Sequence, residues 1–465
     1  MTKSESPMTF DARETILVIG LGKSGQSSVE VLRSRGAAVY AVDEKPLSEI
    51  GDVVARIEAQ GASFTAPSQL DDVLPNVTSA VLSPGVPLNG ALVRRVQNAN
   101  VPVFSEIEVA ARLCKAPIIA VSGTKGKSTT TSLIGHLLRS CGKSVRVGGN
   151  IGNPLISEVL GASADDWVVA EVSSFQLESI RSFKPRVAVL LNISADHLDR
   201  YHSMDEYAEA KYRIVANQDR NDTFVGNLDD VRVAALRYWE GPSRLHARAL
   251  WFSAKEKNQH AAMYLRERSI AYAPVTGDPR PLSIMLCDEI PLAGEHNVQN
   301  VMAGLLAALA IGLEPAALRE AVMSFTPMSH RLETVADIGG VLYVDDSKAT
   351  NPGAAIAALQ AYDRPIVLIA GGISKNTDFA ELGAVADRRA KAVVLIGQAA
   401  DALGAATRRS KTVRAESMGE AVELARSLAE EGDVVLLSPA CASFDMFRSA
   451  EHRGEQFAAA VRELA

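Results

Sequence analysis

The sequence predicts an α/β protein of three domains, each built around a mostly parallel sheet. The chain has 465 residues, a length that corresponds to about three domains. Short apolar strands alternate with helical segments near both ends of the chain, a pattern typical of parallel sheets. Between these regions a strand runs into a glycine-rich loop and a helix, as phosphate-binding loops do. We therefore expect two Rossmann-like domains on either side of a phosphate-loop (P-loop) domain.

The first domain is predicted to span residues 1–105. "TILVIG" is expected to form a buried strand, and "GQSSVEVLRSRG" a helix that ends at Gly36. "AAVYAVD" and "SAVLSPG" predict two further strands. The following "SEIE" has the pattern of a capping box, which would start a helix at Ser105.

The other two domains are predicted to span residues 106–327 and 328–465. The central one contains the predicted strands "DWVVAEVSS" and "RVAVLLNIS". The last one repeats strand and helix through "GVLYVDDS", "PIVLIAGG", "KAVVLIG" and "DVVLLSP". The boundary between them rests on "FTPMSHRLE", where we expect a helix to give way to a proline-containing connector.

The composition argues against several classes of protein. The net charge of −7 disfavours a general nucleic-acid or membrane-surface binder. The four cysteines lack metal-ligand spacing and fit a reducing compartment. The N-terminus shows no apolar signal core, and "VMAGLLAALAIGL" is too short to cross a bilayer. We expect a soluble, cytoplasmic protein in which this apolar run forms a buried helix.

The segment "AVSGTKGKSTTTSLIGHLL" predicts a cradle for phosphate. Glycines let backbone N–H groups converge on an anion, and the following helix presents its positive end. Lys127 would reach the outer phosphates, and the Ser128 hydroxyl would bind Mg²⁺. Val121 replaces the first glycine of the strict G-x-x-x-x-G-K-[ST] pattern, and a plain glycine turn is the alternative. The candidate nucleotide-binding residues are Gly123, Thr124, Lys125, Gly126, Lys127, Ser128 and Thr129.

A second glycine-rich loop, "GLGKSG", follows the first predicted strand, and Asp43 ends the next strand. Glycines beside a diphosphate and an acid for a ribose hydroxyl form a dinucleotide fingerprint. A nicotinamide cofactor, any nucleotide diphosphate, or a tight turn without a ligand would each fit. "LSPGVPLN" also lies at the end of a strand, where such sheets bind ligands. The candidates are Gly22, Lys23, Ser24, Asp43, Ser83, Pro84, Gly85 and Asn89.

Glu171 ends an apolar strand, where a buried carboxylate is costly unless it is paired or bound to a metal. With Ser128 it would supply hard oxygen ligands for Mg²⁺, whereas a structural salt bridge is the alternative. "NISADHLDRYHSMDEYAEAKYR" adds His197 and Lys211. Taken alone, the first would be a loop residue and the second a surface lysine.

The remaining candidates are residues at predicted helix starts and polar groups that follow predicted strands. Ser203 and Glu206 have the spacing of a capping box, which would place Lys211 on a helix. Asn297 and Asn300 share a helix face and could meet an adenine edge, although helix capping by the first is the alternative. Groups that follow the C-terminal strands could clamp an anion or be solvated charge. They are Arg331, Asp346, Lys348, Thr350 and Lys375, with Asn351 and Pro352 expected to start a helix.

At these residues the chain resembles the Mur ligases, ATP-dependent enzymes that form amide bonds in peptidoglycan synthesis. The resemblance covers nearly the whole chain, and the order and spacing of its motifs are very specific. In order, they are "GLGKSGQS", "LSPGVP", "GTKGKSTT", "GGNIGNP", "EVSSFQLE", "DHLDRY", "EHNVQN", "HRLE", "DDSKATNP" and "SPACASFDMF". The match is best for members that add D-glutamate to UDP-N-acetylmuramoyl-L-alanine. The aromatic residue that such members can carry after "SPACAS" falls at Ala450 here.

The resemblance implies a mechanism and a role for each candidate. ATP would convert a carboxylate to an acyl phosphate, which D-glutamate then attacks. The implied catalytic residues are Lys127, Glu171, His197 and Lys211. Two Mg²⁺ ions would be held by Ser128, Glu171, His197 and Lys211, the lysine after carbamylation by CO₂. Besides the phosphate loop, ATP would meet Asn297, Asn300, Arg331 and Asp346. UDP, rather than NAD, would occupy the "GLGKSG" loop, with Asn150, Ser173 and His197 also facing the UDP-muramoyl substrate. D-Glutamate would meet Lys348, Thr350, Lys375 and Ser443.

The implied partners are small molecules, with no nucleic acid, and the chain is expected to be a monomer. Three rival functions stay open. Another Mur ligase or a folylpolyglutamate synthase-like ligase is one, although the N-terminal nucleotide domain disfavours the folate type. A nucleotide-binding regulator without catalysis is the second, and the retained catalytic residues argue against it. An NAD dehydrogenase is the third, but it would leave the phosphate loop without a role.

Overall fold

The computed structural model describes residues 10–196, 200–256, 258, 260–273, 280–292, 294–326, 329–374 and 377–464. Within these residues the chain forms three sheets flanked by helices. It divides into two compact units, Met1–Glu289 with Gln299–Met323, and Ile290–Val298 with Ser324–Ala465. The predicted α/β class with three domains is confirmed, while the exact boundaries at residues 105 and 327 stay predictions.

The first sheet has five strands, all parallel. They are β1 (Thr15–Ile19), β2 (Ala38–Val42), β3 (Ser63–Phe64), β4 (Ser79–Leu82) and β5 (Val103–Ser105). Their order is β3-β2-β1-β4-β5, with Leu17 opposite Tyr40 on one side and Ala80 on the other. The helices of this region are α1 (Lys23–Ser34), α2 (Leu47–Ala59), α3 (Leu70–Val73) and α4 (Ala91–Asn98). Gly36 has a φ of +89° just after α1, as the predicted helix end requires.

The second sheet has nine strands. They are β6 (Ile118–Ser122), β7 (Val145–Gly149), β8 (Trp167–Glu171), β9 (Val187–Leu190), β10 (Thr223–Asn227), β11 (Arg248–Glu256), β12 (Met263–Arg266), β13 (Ser269–Tyr272) and β14 (Leu282–Leu286). The order is β14-β13-β12-β11-β10-β9-β6-β8-β7, and among the described strands of this sheet only the β12-β13 and β13-β14 pairings are antiparallel. The helices are α5 (Glu106–Leu113), α6 (Lys127–Ser140), α7 (Leu155–Val159), α8 (Ser174–Leu177), α9 (Met204–Tyr212), α10 (Val231–Ala235), α11 (Glu295–Ala310) and α12 (Pro315–Met323).

The third sheet has six strands, with one antiparallel edge strand. They are β15 (Glu333–Ile338), β16 (Val341–Asp345), β17 (Ile366–Gly371), β18 (Ala390–Ile396), β19 (Lys411–Arg414) and β20 (Val434–Leu437). The order is β15-β16-β20-β17-β18-β19. The helices are α13 (Pro352–Gln360), α14 (Ala380–Arg389), α15 (Ala400–Ala406), α16 (Met418–Leu428) and α17 (Ala450–Arg462).

The strands of the third sheet show why their sequences are apolar throughout. Every residue of β17 is buried. Val367 and Leu368 point into different hydrophobic clusters, one on each face of the sheet. A strand covered on both faces has no solvent side, so "PIVLIAGG" shows no polar alternation. Full burial of each such side chain contributes roughly 1.5–3 kcal/mol.

The helix starts confirm some capping predictions and correct others. Asn351 caps α13 through the Ala354 N–H, with Pro352 as the first helical residue, as predicted. Ser203 caps α9 through the Glu206 N–H at 3.1 Å, but the Glu206 carboxylate accepts from His202 instead of returning to Ser203. The predicted capping box is therefore only half formed.

The capping box expected at Ser105 is wrong. The hydroxyl of Ser105 is buried without a hydrogen-bond partner in the described part of the chain. Glu108, which would complete the box, instead accepts the N–H groups of Ser182 and Phe183. The Glu108 carboxylate therefore binds residues that are distant in sequence, instead of the start of its own helix.

Residues 301–310 of the apolar run lie within α11, and residues 301–303 and 305–308 are buried, as predicted. This helix starts at Glu295, so Asn297 lies inside it and does not cap it. None of the helices that the structure describes combines the length and the apolar character needed to span a membrane.

Candidate active site

Asn192 fixes the phosphate loop, which follows β6. Gly123 and Gly126 in this loop have φ values of +153° and +81°. Asn192 follows the neighbouring strand β9, and its Oδ1 accepts the N–H groups of Thr124 and Lys125 at 3.1 and 2.8 Å. Its Nδ2 donates to the Lys125 carbonyl at 3.1 Å. The loop is thus preorganised by the protein, as an anion cradle should be.

Lys127 begins α6 at the open end of this loop. Its ammonium donates to the Thr124 carbonyl at 3.0 Å, and Ser128 and Thr129 follow in the first turn. The seven predicted loop residues therefore form one continuous loop and helix start. A Cβ built on Gly126 would lie 2.4 Å from Oδ1 of Asn300, so this predicted adenine-facing residue borders the loop.

Lys211 is the least expected feature of the site, because it is almost completely buried. It is 1% exposed on α9, and its Nζ donates to the Gly123 carbonyl at 2.9 Å. Burial, and next the like charge of Lys127, hold the pKa of Lys211 well below its usual value, while Asp196 and Glu171 oppose the shift. The reading of this lysine as a surface residue is excluded.

Glu171 ends β8 directly beside the phosphate loop, since it pairs with Val121 of β6. The side chain is 2% exposed. Its Oε1 accepts from Nδ2 of Asn150 at 3.0 Å, whereas Oε2 is buried with no hydrogen-bond partner among the described residues. The alternative of a structural salt bridge is therefore not supported, because the described partner is an uncharged amide.

These groups fit the Mg²⁺ that the sequence predicts. An unpaired carboxylate oxygen is costly in a protein interior and is a preferred ligand of this ion. The Ser128 hydroxyl offers a second hard oxygen at the start of α6. His197, the predicted ligand of a second ion and a predicted substrate contact, lies outside the described residues.

A cavity of about 770 Å³ lies at the carboxyl edge of the first sheet and extends to the start of α7. We call it the nucleotide pocket, after the ligand that the sequence predicts there. The predicted residues among its lining are Gly22, Lys23, Ser24, Asp43, Ser83, Pro84, Gly85 and Asn150. Asn89 lines a separate cavity of about 390 Å³ with Glu178 and Arg200. Ser173 caps α8, whose Gln176 lines the nucleotide pocket.

Several polar groups of this pocket already have protein partners. Asp43 accepts the N–H of Leu21 at 2.6 Å and so holds the glycine-rich loop. The Ser83 hydroxyl donates to the Gly20 carbonyl at 2.8 Å, and the Lys23 ammonium donates to the Gly152 carbonyl at 2.6 Å. Lys23 is exposed, so its ammonium can be redirected to an anion at little cost.

The predicted groups of the third sheet cluster at the carboxyl ends of β16 and β20. Asp346 is buried, and its Oδ2 accepts from the Ser438 hydroxyl at 2.8 Å. Burial raises the pKa of Asp346 to about 7, opposed by the Ser438 hydrogen bond and the Arg331 charge. Lys348 forms an ion pair with Glu451 at the start of α17.

Arg453 ties together the strand ends in this cluster. The side chain is fully buried. It donates to Oγ and the carbonyl of Ser347 at 2.9 and 2.8 Å, to the Cys441 carbonyl at 3.1 Å and to the Gly371 carbonyl at 3.4 Å. Ser443 is buried two residues beyond Cys441, and Thr350 is exposed on the loop after β16. The remaining predicted ligand, Lys375, falls on a position that the structure does not describe.

Sequence reasoning assigned no role to several residues that shape these sites. Asn192 carried a usable signal, because it directly follows a predicted strand that could pair with the loop-bearing one. Gln176 lay within a noted motif, but nothing indicated that it would line a cavity. Arg453 looked like any charged residue of a surface helix, and no local pattern separates it from its neighbours.

Comparisons with known proteins identify the family of this chain. Residues 14–105 match the Mur ligase MurD-like N-terminal domain, residues 121–308 the Mur ligase middle domain, and residues 330–441 the Mur ligase glutamate ligase domain. Among solved structures, the UDP-N-acetylmuramate-alanine ligase of Thermotoga maritima has a TM-score of 0.61 at 19% identity. That alignment covers 97% of this chain and 100% of the other, and shows a shared fold.

Curated relatives are similar over nearly their whole length. A UDP-N-acetylmuramoylalanine--D-glutamate ligase of Pelotomaculum thermopropionicum is 41% identical, over 97% of this chain and 98% of the relative. A ligase of the same name from Koribacter versatilis is 39% identical, over 97% of each chain. The chain therefore belongs to the Mur ligase family.

Proposed function

We propose that this chain joins D-glutamate to UDP-N-acetylmuramoyl-L-alanine with consumption of ATP, a step in making peptidoglycan precursors. The identity of the substrates is inferred from the name of the relatives, UDP-N-acetylmuramoylalanine--D-glutamate ligase. The structural observation that carries the proposal is the unpaired, buried oxygen of Glu171 beside the phosphate loop. A carboxylate left this way next to an anion cradle suits a metal–nucleotide complex and has no evident purpose in a plain structural turn.

The reaction has to overcome the poor reactivity of a carboxylate. Transfer of the γ-phosphoryl group from ATP to a carboxylate oxygen of the muramoyl substrate gives an acyl phosphate and ADP. The amine of D-glutamate then attacks the acyl carbon and loses a proton, and the carbon–oxygen bond to phosphate breaks. Mg²⁺, held by Ser128 and Glu171, would supply charge neutralisation and polarise the phosphoryl oxygens.

The chain's own groups bind and orient the reactants. An ammonium has three N–H donors, so Lys127 can donate to a phosphate oxygen as well as to the Thr124 carbonyl. Asn192 fixes the shape of the phosphate loop through the N–H groups of Thr124 and Lys125, and the remaining N–H groups of the loop would meet the same anion. The nucleotide pocket would hold UDP and the muramoyl group. Lys348, Thr350, Lys375 and Ser443 would bind D-glutamate.

Isotope transfer tests the acyl-phosphate step directly. With ¹⁸O in the carboxylate of the muramoyl substrate, one labelled oxygen should leave with each phosphate released. Phosphate release should also require ATP, the muramoyl substrate and D-glutamate together. Unlabelled phosphate from a labelled substrate would contradict the proposed route.

We also propose that Lys211 is carbamylated in the working enzyme. Carbamylation needs a neutral amine and turns a cation into an anion that can support a metal. Burial of the ammonium beside Lys127 favours the neutral form. The carbamate would place an anion that can support Mg²⁺ near the phosphate loop, in place of a cation that would repel this ion.

Labelled bicarbonate tests the modification. With ¹³C-bicarbonate, the enzyme should show one carbamate carbon signal that Lys211→Ala lacks. Lys211→Ala should lose most activity and recover part of it with a short carboxylic acid, which can fill the vacated space. Lys211→Arg should not recover, because the guanidinium stays charged and occupies that space. An unmodified lysine in a fully active, metal-loaded enzyme would overturn this proposal.

The enzyme is further proposed to act in the cytoplasm, as a monomer. Four cysteines without a disulfide among the described residues, and the ATP and UDP-linked substrates, support the first point. Light scattering on the full chain with and without substrates tests the second, with one mass expected in both cases.

A further inference from the structure

Glu106 is a buried carboxylate beneath the nucleotide pocket. It is the first residue of α5 and is 1% exposed. Its Oε1 accepts the N–H of Ile156 at 2.7 Å, at the start of α7. Its Oε2 is buried without a hydrogen-bond partner in the part of the chain that the structure covers. An ionised carboxylate in this setting lowers the stability of the fold, which favours a functional role for Glu106.

Two of the groups that stabilise ionised Glu106 lie in the lining of the pocket or close to it in sequence. Ile156 lies two residues beyond Pro154, which lines the pocket before α7 begins. Gln176 lines the pocket from α8 and is 2% exposed. The Gln176 side chain stabilises the ionised form of Glu106, although its Nε2 does not meet the geometry of a full hydrogen bond with any described atom.

We propose that Glu106 is a positioning residue for the UDP-linked substrate, holding the α7 and α8 walls of the nucleotide pocket at a fixed spacing through Ile156 and Gln176. This inference rests on the proposed function, since it takes the pocket to be the UDP-muramoyl site. Ionised Glu106 accepts the N–H of Ile156 and attracts the Gln176 amide, whose Nε2 does not reach full hydrogen-bond geometry. A neutral group at this position can accept only from Ile156, because its second polar atom carries hydrogen and opposes the Gln176 amide. The α8 wall is then released.

The protonation state of Glu106 is therefore coupled to substrate binding. Burial raises the pKa of Glu106 to about 7, opposed by the N–H groups of Ile156 and Leu155 and by the Gln176 side chain. Charged groups on the elements packed around it are bonded elsewhere or exposed. They are Glu108 with Arg112, Glu158 with Asn153, Glu171 with Asn150, Lys23 with the Gly152 carbonyl, Arg33 with the Ala37 carbonyl, and exposed Glu30. On the elements packed around Glu106, this is the carboxyl group whose pKa burial raises to about 7.

Glu106→Gln tests the proposal because it copies the neutral form in size and shape. At pH 8 we expect KM for UDP-N-acetylmuramoyl-L-alanine to rise about tenfold, the scale of one lost charge-assisted contact. The kcat and the KM for D-glutamate should stay near the wild-type values. Between pH 8 and pH 6 the wild-type KM should rise toward that of the variant, while the ratio of the two falls toward one.

Glu108→Gln is the matched control. Glu108 lies on the same helix and is also buried, but it holds residues 181–183 and touches no wall of the pocket. Its KM for the UDP-linked substrate should stay within about twofold of wild type. An unchanged KM and pH profile in Glu106→Gln would overturn the positioning role. A rise in the KM for every substrate, or an equal rise in Glu108→Gln, would overturn it too, since it would indicate general damage.

A binding measurement separates this inference from the proposed function. Calorimetric titration of the wild-type chain with UDP-N-acetylmuramoyl-L-alanine should show one site. Absence of binding to the wild type would contradict the proposed function itself. Binding to the wild type that Glu106→Gln leaves unchanged at pH 8 would contradict only the role of Glu106.

Discussion

Lys127 is proposed to act on a ligand and not on the fold, which makes it the sharpest residue-scale test. Its ammonium donates to the Thr124 carbonyl of the phosphate loop. Lys127→Ala should abolish phosphate release, because the outer phosphates lose their cation, and should shift the unfolding midpoint little. The control Lys143→Ala removes an exposed ammonium just beyond the other end of α6 and should keep full activity. Near-normal turnover by Lys127→Ala would exclude the phosphate loop as the ATP site.

Residue types could be predicted better than their environments. The loop from Gly123 to Ser128 and the strand-ending Glu171 follow from local patterns of glycine, lysine and apolar residues. The burial of Lys211 does not, because α9 is an ordinary mixed helix in sequence and only tertiary packing covers this side chain. Asp43 suited a ribose hydroxyl by type, yet its carboxylate also holds the N–H of Leu21, a contact set by the fold of the loop.

At the scale of elements, α6 depends on the glycines at its two ends for different reasons. Gly126 precedes it with a φ of +81°, and a Cβ there would lie 2.4 Å from Asn300. Gly142 follows it with a φ of +78°, and no described atom lies within 4 Å of such a Cβ. Both positions have a left-handed backbone that would strain a residue with a Cβ. They differ in how crowded the space around such a Cβ is and in how close they lie to the phosphate loop.

Alanine substitutions should separate these two costs. Gly142→Ala should lower the free energy of unfolding by about 1–2 kcal/mol, the cost of left-handed backbone for a residue with a Cβ. It should leave the KM for ATP unchanged. Gly126→Ala should cost more in urea unfolding and also raise the KM for ATP at least tenfold, because the loop must move from Asn300. Equal effects of both substitutions on stability and on ATP would show that the loop is not shaped by this contact.

Strands could be predicted where their own composition required them. The apolar runs of β1, β6, β8, β17 and β20 were all expected. The strand β10 was missed because Gly226 lowers its strand propensity. The structure explains this glycine, since a Cβ there would meet the rings of Phe224 and Trp251 at 2.5 and 2.6 Å. The packing of these two rings thus requires a glycine, and the glycine weakens the strand pattern in the sequence.

At the scale of the whole molecule, two carboxylates on α5 should give opposite pH dependences of stability. Glu106 has a folded-state pKa of about 7, above its unfolded value of about 4.5. Stability therefore falls as pH rises through that window, and the full cost is present above it. For Glu108, burial opposes the shift, but hydrogen bonds from Ser182, Arg181 and Arg112 lower its pKa below the ordinary value. Its stabilisation is present above the unfolded pKa and is lost as pH falls.

Urea unfolding of the two glutamine variants measures this difference. At pH 8 Glu106→Gln should be more stable than wild type by up to about 3 kcal/mol, and near pH 4 the two should be equal. Glu108→Gln should be less stable than wild type at pH 8. A Glu106→Gln protein that is both more stable and weaker in substrate binding would show that this site gives up stability for function. Loss of stability at pH 8 in both variants would contradict the buried-charge account of Glu106.

The central claim, ligation of D-glutamate to a UDP-muramoyl substrate, is tested most directly by an amino-acid panel. ATP, UDP-N-acetylmuramoyl-L-alanine and one candidate amine at a time are incubated with the full chain, and phosphate release and product mass are recorded. The proposed D-glutamate ligands would favour an amine with two carboxylates, and they are Lys348, Lys375, Thr350 and Ser443. We expect a ligated product with D-glutamate and little or none with L-glutamate, D-alanine or a diamino acid. Equal turnover with D-alanine or a diamino acid, or no product with D-glutamate, would contradict the account.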